Sequence, residues 1–348
     1  MRVKVLIIDD SATMRSGLKL VLQQDPEIEV VGAAKDPYEA RELIKSLNPD
    51  VLTLDVEMPR MNGIDFLRNL MRLRPMPVVM VSSHTRKGAD LAVQSLALGA
   101  FDCVGKPAGG DFFEALAELP LLVKRAARSR SREAGATGEG SAPEDRVSFA
   151  NRYILIGAST GGVEAISKVL SSFPRNCPAT AIVQHMPAGF TESFVSHLDR
   201  TTAPRVKVAA PDDRMEPGVV LVAPGSPSHM AFSGATPRCT FRNSEKVNGH
   251  RPSVDVLFNS AEPYAKKVVA GILTGLGVDG AAGLATLREA GARTVGQSKE
   301  TCVVYGMPRA AAELGAIEHL LPINAVGPKL LSLCAQDANS ERKRTPAA

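Results

Sequence analysis

The 348-residue sequence has no tryptophan, and aromatic residues make up only 4% of it. It also has no C-x-x-C motif, and its cysteines are odd in number and scattered, at Cys103, Cys177, Cys239, Cys302 and Cys334. This pattern argues against a zinc knuckle or a disulfide framework and predicts small buried or half-buried cysteines in a reducing compartment. No apolar run reaches about 18 residues, and the N-terminus is too short and too acidic for a signal peptide. We therefore expect a cytoplasmic protein.

A strong excess of either charge is also absent. The chain has 41 basic and 37 acidic residues, a net charge of +4. The basic clusters KRAARSRSR (124–132) and ERKR (341–344) lie in a predicted linker and tail, so we interpret them as solvated segments. Residues 150–335 contain no helix-turn-helix pattern and no basic face, so we expect no nucleic-acid partner. The length predicts about two domains.

Residues 1–125 alternate short apolar runs with segments of helical period. The strand-like runs are VKVLIID (3–9), IEVVGAA (28–34), DVLTLD (50–55), PVVMVSS (77–83) and FDCVGK (101–106). Short apolar strands that alternate with helices of about 11 residues predict an α/β domain, with a five-stranded parallel sheet covered on both faces.

A linker and a second α/β domain follow. Residues 126–148 are rich in Gly, Ser, Ala and charge, which is typical of a linker. From 149 to 336 a second strand–helix rhythm predicts a doubly wound, mostly parallel domain, with an antiparallel excursion at 229–243. The polar residues 337–348 are predicted to form a disordered tail.

In the first domain, polar residues follow the predicted strands. Asp9 and Asp10 end the first strand, Asp55 the third, Ser82 the fourth and Lys106 the fifth. Parallel sheets place their sites at these carboxyl ends, and three converging carboxylates suit Mg²⁺. The lysine and the hydroxyl complete a pocket for a phosphoryl group, with Asp55 as the acceptor. Taken singly, an aspartate at a strand end is more often a helix N-cap.

This ordered set closely resembles the receiver domain of two-component response regulators, which has a flavodoxin-like sheet, over residues 1 to about 125. The resemblance implies that a histidine kinase phosphorylates Asp55. It implies that Ser82 and Lys106 contact the phosphoryl oxygens. It also implies a Mg²⁺ site formed by Asp9, Asp10, Asp55 and the backbone carbonyl of Glu57.

The second domain opens with YILIGASTGG (153–162), a strand, a glycine turn and a helix start. Such a turn can cradle a phosphate, or it can present Ser159 as the nucleophile of a G-x-S-x-G elbow. The stretch has neither G-x-G-x-x-G nor the Gly-Lys-Ser/Thr of a Walker loop. We therefore favour a nucleophilic serine. The alternative is an output domain that binds a nucleotide without catalysis.

A nucleophilic serine needs a base and a group to orient that base. His185 ends the next predicted parallel strand, on the same rim as Ser159, and Asp279 lies in the glycine-rich turn TGLGVDG. Asp279 can also be the N-cap of a helix predicted at 280–290, whereas Asp212 and Asp213 are typical of an ordinary turn. The order Ser, His, Asp differs from that of the α/β-hydrolases, so a lipase-like fold is not expected.

The motifs GASTGG, QHMP, APG with a nearby HM, HRPSVDVLF and TG-x-G-x-DG stand in this order behind a receiver. They resemble the CheB family of chemotaxis protein-glutamate methylesterases over nearly the whole chain. The resemblance implies a triad of Ser159, His185 and Asp279 that removes methyl groups from glutamyl esters on chemoreceptors, and often deamidates their glutamines. Backbone N–H groups near Thr160 and Leu276 are the candidates for holding the oxyanion. Residue 276 is leucine where the family usually has methionine.

We therefore predict a phosphorylation-activated esterase that acts in sensory adaptation. Its partners are chemoreceptors and a chemotaxis histidine kinase, without membrane insertion. Mg²⁺ serves the receiver, and the esterase step needs no cofactor. The unphosphorylated receiver is predicted to pack over the rim that carries Ser159, and phosphorylation of Asp55 to open it, with a coupling free energy on the order of 1–3 kcal/mol.

Overall fold

The structure is a computed structural model that describes residues 2–59, 61–83, 85–107, 112–129, 149, 151–186, 188–225 and 227–335. The chain divides into two compact units, Met1–Gly138 and Glu139–Ala348. The predicted tail and most of the predicted linker lie outside the described residues. In the part of the chain that is described, no helix combines the length and apolar character needed to cross a bilayer.

The first unit contains one parallel sheet in the order β2-β1-β3-β4-β5. Its strands are β1 (Val3–Ile8), β2 (Ile28–Ala34), β3 (Val51–Asp55), β4 (Val78–Ser82) and β5 (Asp102–Gly105). Its helices are α1 (Ala12–Gln23), α2 (Pro37–Leu47), α3 (Gly63–Leu73), α4 (Arg86–Ala97), α5 (Phe112–Ala115) and α6 (Leu119–Arg128). Every residue of β3 and β4 is buried, as expected for central strands covered on both faces. The predicted flavodoxin-like sheet is confirmed.

Helix caps follow β1 and β3, the two strands that lead to the site aspartates. Ser11 caps α1 by accepting a hydrogen bond from the Met14 N–H, and Asn62 caps α3 in the same way from Asp65. The strand-end carboxylates of Asp9 and Asp55 are therefore not used as N-caps, although single aspartates in such places often are. They are left to form a site.

The second unit contains a seven-stranded sheet in the order β14-β13-β12-β6-β7-β9-β8, and all of its strand pairs are parallel. Its strands are β6 (Tyr153–Ala158), β7 (Ala179–Gln184), β8 (Arg205–Val208), β9 (Val219–Val222), β12 (Val268–Ile272), β13 (Arg293–Gln297) and β14 (His319–Leu321). The predicted antiparallel excursion is confirmed as the hairpin of β10 (His229–Ser233) and β11 (Arg238–Arg242).

Helices alternate with these strands. They are α7 (Gly162–Leu170), α8 (Thr191–Thr201), α9 (Val254–Ser260), α10 (Ala281–Glu289), α11 (Met307–Glu313) and α12 (Ile323–Cys334), with 3₁₀ helices at Ala188–Phe190 and Glu262–Lys267. Strand β6 lies at the centre of the sheet between β12 and β7, with Gly157 beside Ile272 and Ala158 beside Gln184. The loops that follow these three strands therefore meet at one edge of the sheet.

The cysteines and the boundary between the two domains can also be compared with the predictions. All five cysteines are buried and none is in a disulfide, as their spacing predicts. Helix α6 continues past residue 125 to Arg128, so it enters the segment predicted to be linker. The domain limits themselves stay predictions, although the division between the two units falls inside the predicted linker.

Candidate active site and phosphorylation site

Three carboxylates lie together at the carboxyl edge of the first sheet. Asp9, Asp10 and Asp55 each offer an oxygen, and these oxygens all lie within 4.8 Å of one another. Asp9 and Asp55 are buried, while Asp10 is exposed. An oxygen-only cluster of this kind fits a hard cation such as Mg²⁺. The sequence-predicted acidic residues are thus brought together.

Lys106 compensates two of these charges. Its ammonium lies 2.7 Å from Asp55 Oδ2 and 3.0 Å from Asp9 Oδ2. Burial nevertheless raises the pKa of Asp55 to about 6, against the opposing effect of Lys106. Burial would lower the pKa of Lys106, but its hydrogen bonds and attraction to Asp55 and Asp9 raise it above the usual value. The pocket therefore holds a carboxylate whose charge is only partly compensated by the protein.

Ser82 and Glu57 border the same pocket. The Ser82 hydroxyl donates to the Gly88 carbonyl in α4 at 2.9 Å, so its proton is directed to α4. The Glu57 backbone N–H donates to Asp55 Oδ1 at 3.2 Å, while its carboxylate accepts from Ser83 Oγ at 2.8 Å. Glu57 is therefore tied to the Asp55 carboxylate through its N–H, and the role of its carbonyl as a metal ligand stays a prediction.

In the second unit, Ser159 directly follows β6 and precedes α7. It is 7% exposed, and its backbone N–H donates to the Thr274 carbonyl at 3.0 Å. Gln184 ties the next strand to this turn, because its side-chain amide donates to the carbonyls of both Ser159 and His185 at 2.9 Å. The backbone of the candidate nucleophile is therefore held to that of the candidate base.

His185 and Asp279 are in direct contact. His185 Nε2 lies 2.8 Å from Asp279 Oδ2, and because a carboxylate can only accept, Nε2 carries the proton. His185 Nδ1 is buried and has no hydrogen-bond partner among the described residues. The common serine-protease arrangement binds the carboxylate at Nδ1 and the serine at Nε2, so the carboxylate contact here is on the opposite ring nitrogen. The nitrogen available as a base is Nδ1.

Asp279 is held by several donors besides His185. Its carboxylate accepts from Ser253 Oγ and the Val254 N–H at 2.7 Å and from the Asp255 N–H at 3.2 Å. Burial would raise the pKa of Asp279, but the hydrogen bonds from His185, Ser253 and Val254 hold it far below its usual range. The carboxylate is therefore ionised at neutral pH.

The prediction that Asp279 can be the N-cap of the helix that follows it was wrong. The cap residue of α10 is Gly280, with φ 86°, and α10 begins at Ala281. The carboxylate instead meets the first N–H groups of α9, which precedes it in the sequence. Local spacing cannot predict that Asp279 meets the N-terminus of α9. This contact depends on how α9 packs against the loop that carries Asp279.

Several site residues were missed in the sequence. Asn248 donates to Asp279 Oδ1 at 3.3 Å, and the ring of His250 stacks on that of His185. His250 is the first residue of the motif HRPSVDVLF, and Asn248 lies two residues before it. Their position at this motif could have indicated that they belong to the site. His229 is fully buried and accepts from the Ser253 N–H at 3.1 Å, whereas Arg251 donates to the Ser244 carbonyl at 3.0 Å.

The oxyanion candidates border Ser159. Thr160 is buried at the start of the turn before α7, and Leu276 is half-buried in the loop after β12. Gly275, which precedes Leu276, lies against Ser159: an added Cβ at Gly275 would stand 2.8 Å from Ser159 Cβ. The Ser159 N–H is already used by the Thr274 carbonyl. The backbone groups at 160 and 276 stay predictions for the oxyanion site.

A receiver-type sheet with an acidic pocket, followed by a parallel α/β unit with a serine and a carboxylate-bound histidine, defines a response regulator with a hydrolase-like output domain. A family model described as CheB methylesterase matches residues 154–330, and one described as response regulator receiver domain matches residues 5–117. The chain belongs to the CheB methylesterase family.

Relatives and a solved structure agree with this assignment. A protein of Caulobacter vibrioides is 52% identical over 96% of this chain and 98% of its own length, and one of Agrobacterium fabrum is 52% identical over 95% and 96%. Both names include protein-glutamate methylesterase/protein-glutamine glutaminase. The crystal structure of the Thermotoga maritima CheB methylesterase catalytic domain is 36% identical, has a TM-score of 0.51, and matches over 53% of this chain and 99% of that one.

Proposed function

We propose that this protein is a phosphorylation-activated serine hydrolase that removes methyl groups from glutamyl methyl esters on chemoreceptors and deamidates receptor glutamines. The observation that carries the proposal is the 2.8 Å contact of His185 with Asp279 at the sheet edge that bears Ser159. Membership of the CheB methylesterase family and the names of the relatives support the substrate class. We expect the reaction in the cytoplasm.

The esterase step follows from the orientation of the imidazole. His185 Nδ1 accepts the proton of Ser159 as Oγ attacks the ester carbonyl, and Asp279 stabilises the imidazolium through Nε2–H. His185 then gives that proton to the departing methoxide, and methanol leaves. Water repeats the sequence on the acyl-enzyme, so that the glutamate carboxylate is released and Ser159 is restored. For a glutamine, the same steps release ammonia.

The developing oxyanion needs donors other than the Ser159 N–H, because that group already binds the Thr274 carbonyl. We assign the role to the backbone N–H groups of Thr160 and Leu276, where α7 adds the positive end of its dipole. A backbone donor does not depend on its side chain, so leucine at 276 in place of methionine should leave this function intact.

Regulation is assigned to the first unit. We propose that a chemotaxis histidine kinase phosphorylates Asp55, and that Lys106 and Ser82 then contact the phosphoryl oxygens. Asp9, Asp10, Asp55 and the Glu57 carbonyl would hold Mg²⁺, which supplies positive charge for phosphoryl transfer. The close approach of the three carboxylates and the two ion pairs of Lys106 support this assignment.

Methanol release from a methylated chemoreceptor fragment tests the proposal. The intact protein is compared with Ser159→Ala and with Ser171→Ala, an exposed serine that serves as the matched control, each with Mg²⁺ and acetyl phosphate. We expect release by the intact protein and by Ser171→Ala, and loss of release by Ser159→Ala. Equal release by all three would refute the nucleophile, and tight nucleotide binding unaffected by Ser159→Ala would support the non-catalytic alternative.

A further inference from the structure

A second imidazole, which the mechanism above does not use, lies flat on the catalytic one. The ring centroids of His185 and His250 are 3.7 Å apart, and the ring planes are inclined by only 10°. One face of the His185 ring is thereby covered by a flat, rigid side chain. Among the described residues, His185 has a side-chain hydrogen bond at Nε2 only, and this single bond at one ring nitrogen does not by itself fix the tilt of the ring.

A tight turn carries His250 to this position. Val247 and His250 exchange backbone hydrogen bonds of 3.1 and 2.9 Å, and the residues between them, Asn248 and Gly249, have φ of 52° and 82°. Two positive φ values at an Asn-Gly pair are typical of a type I′ turn. The turn is therefore a rigid support for the ring at its end.

The turn is also fastened to the catalytic carboxylate. The Asn248 amide donates to Asp279 Oδ1 at 3.3 Å and to Asp255 Oδ2 at 2.7 Å. His250 and the carboxylate that orients His185 are thus fixed to the same point. A movement of the turn would change both contacts of the imidazole, the hydrogen bond at its edge and the stack on its face.

The neutral form of His250 is compatible with a His185 ring that becomes positively charged during the reaction. Burial and the neighbouring His185 lower the pKa of His250 to about 4, and of the other groups that face it, Asp279 opposes this effect and Lys246 adds to it. His250 is therefore neutral at neutral pH. The face of a neutral aromatic ring attracts a cation, whereas a second imidazolium would repel one.

We propose that His250 is a positioning residue of the esterase, whose stacked ring holds the His185 imidazole with Nδ1 toward Ser159. The proposal rests on the proposed function, since it assigns His185 as the base. His250 contacts the base and transfers no proton itself. A flat, neutral ring is the property it needs, so a phenyl ring should replace it.

The test compares His250→Ala, His250→Phe and His197→Ala, the last a half-buried histidine of α8 whose pKa is also lowered by burial. We expect His250→Ala to lower kcat for methanol release by about 10- to 100-fold, as for a catalytic group misplaced by about 1 Å, with KM nearly unchanged. His250→Phe should restore kcat to within about threefold of the intact protein, and His197→Ala should leave it unchanged. Wild-type kcat in His250→Ala, or equal losses in the Ala and Phe variants, would overturn the proposal.

A second measurement does not depend on activity. The carbon-bound ring protons of His185 should show an upfield ring-current shift in the NMR spectrum of the intact protein, keep it in His250→Phe and lose it in His250→Ala. If the intact protein releases no methanol but shows this pattern, the proposed function fails while the stacking holds. Identical His185 signals in all three proteins would overturn the stacking itself.

Discussion

Asp279 combines two tasks in one side chain. It binds His185 Nε2 and also accepts hydrogen bonds from Ser253, Val254 and Asp255 at the start of α9. These donors stabilise the ionised carboxylate in a fully buried place, where an unpartnered charge would be strongly destabilising. The residue proposed to orient the base is therefore also a structural link between two loops.

Asp279→Asn removes the negative charge of the side chain and keeps its shape. The amide nitrogen cannot accept from the donors that surround the carboxylate, and a neutral group no longer stabilises the imidazolium. We expect kcat for methanol release to fall by about 10³- to 10⁴-fold with a small change in KM. Ser253→Ala, which removes one donor and leaves the charge, should lower the free energy of unfolding by about 1–3 kcal/mol and kcat by about tenfold or less. Similar kcat losses in both variants would argue against the charge as the decisive feature.

Asp55 makes the receiver less stable when it is ionised. Its pKa is raised from 3.8 to about 6 in the folded state, so the folded form binds this proton more tightly than the unfolded form. The stability contributed by that proton is present below pH 3.8 and is lost as the pH rises through about 6. At pH 7.5 the cost is on the order of 2–3 kcal/mol.

We therefore expect Asp55→Asn to stabilise the first unit at pH 7.5 but not at pH 4. Hydrogen exchange of receiver peptides in the full-length protein, measured by mass spectrometry in EDTA, reports this unit separately. The exposed Asp90→Asn is the matched control and should have no such effect. Equal protection of Asp55→Asn and the intact protein at pH 7.5 would contradict the raised pKa.

At the scale of elements, the active site depends on how closely the loop after β12 approaches the turn after β6. An added Cβ at Gly275 would lie 2.3 Å from Met307 Sδ and 3.0 Å from the Ser159 nitrogen. Within β12 itself, Gly271 has more room, since the nearest atom to an added Cβ is 3.6 Å away. The two glycines thus differ in what a single methyl group would displace.

Gly275→Ala should shift Ser159 relative to His185. We expect kcat to fall by about 10- to 100-fold, as for other small displacements of reacting groups. Gly271→Ala, in the same segment, should keep kcat within about threefold of the intact protein, because the added methyl group would lie at ordinary van der Waals distance from its neighbours. Steady-state methanol release and thermal unfolding of both variants provide the comparison. An unimpaired Gly275→Ala would show that Ser159 is not held by this approach.

At the scale of the whole molecule, two sites with different chemistry are carried by one chain. The acidic pocket of the first unit suits a cation and a phosphoryl group, whereas the second unit offers a serine, a histidine and an aspartate. Coupling between two such sites is typically worth about 1–3 kcal/mol, or about 5- to 150-fold in an equilibrium. The predicted packing of the unphosphorylated receiver over the rim with Ser159 stays a prediction.

Removal of divalent cations should abolish phosphorylation of Asp55 without affecting the esterase step. With EDTA, we expect acetyl phosphate to lose its stimulation of methanol release, because phosphorylation of Asp55 needs the cation. The basal release should be unchanged, since the proposed esterase steps use protein groups and water alone. Asp55→Asn should behave with Mg²⁺ as the intact protein does with EDTA. Loss of the basal release on chelation would contradict a metal-free esterase step.

Much of this organisation is predictable from local patterns. The runs ending at Asp55 and Ser82, and the run before Ser159, are continuous and apolar, and this is typical of strands buried on both faces of a parallel sheet. Since the carboxyl ends of such strands share one edge, the order of polar residues along the chain predicts which of them meet. The helix bounds were less predictable, as shown by α6, which runs on to Arg128.

The sequence by itself determined the two α/β units and the strand ends on which Asp9, Asp55, Ser159 and His185 stand, because hydrophobic period and turn residues are local properties. Only the tertiary structure decided that Asp279 meets α9 rather than the helix that follows it, and that His185 Nδ1 has no hydrogen-bond partner in the described part of the chain. The stack of His250 on His185 was decided there too. These features join loops far apart in the sequence, so they depend on distances across the sheet that no local pattern contains.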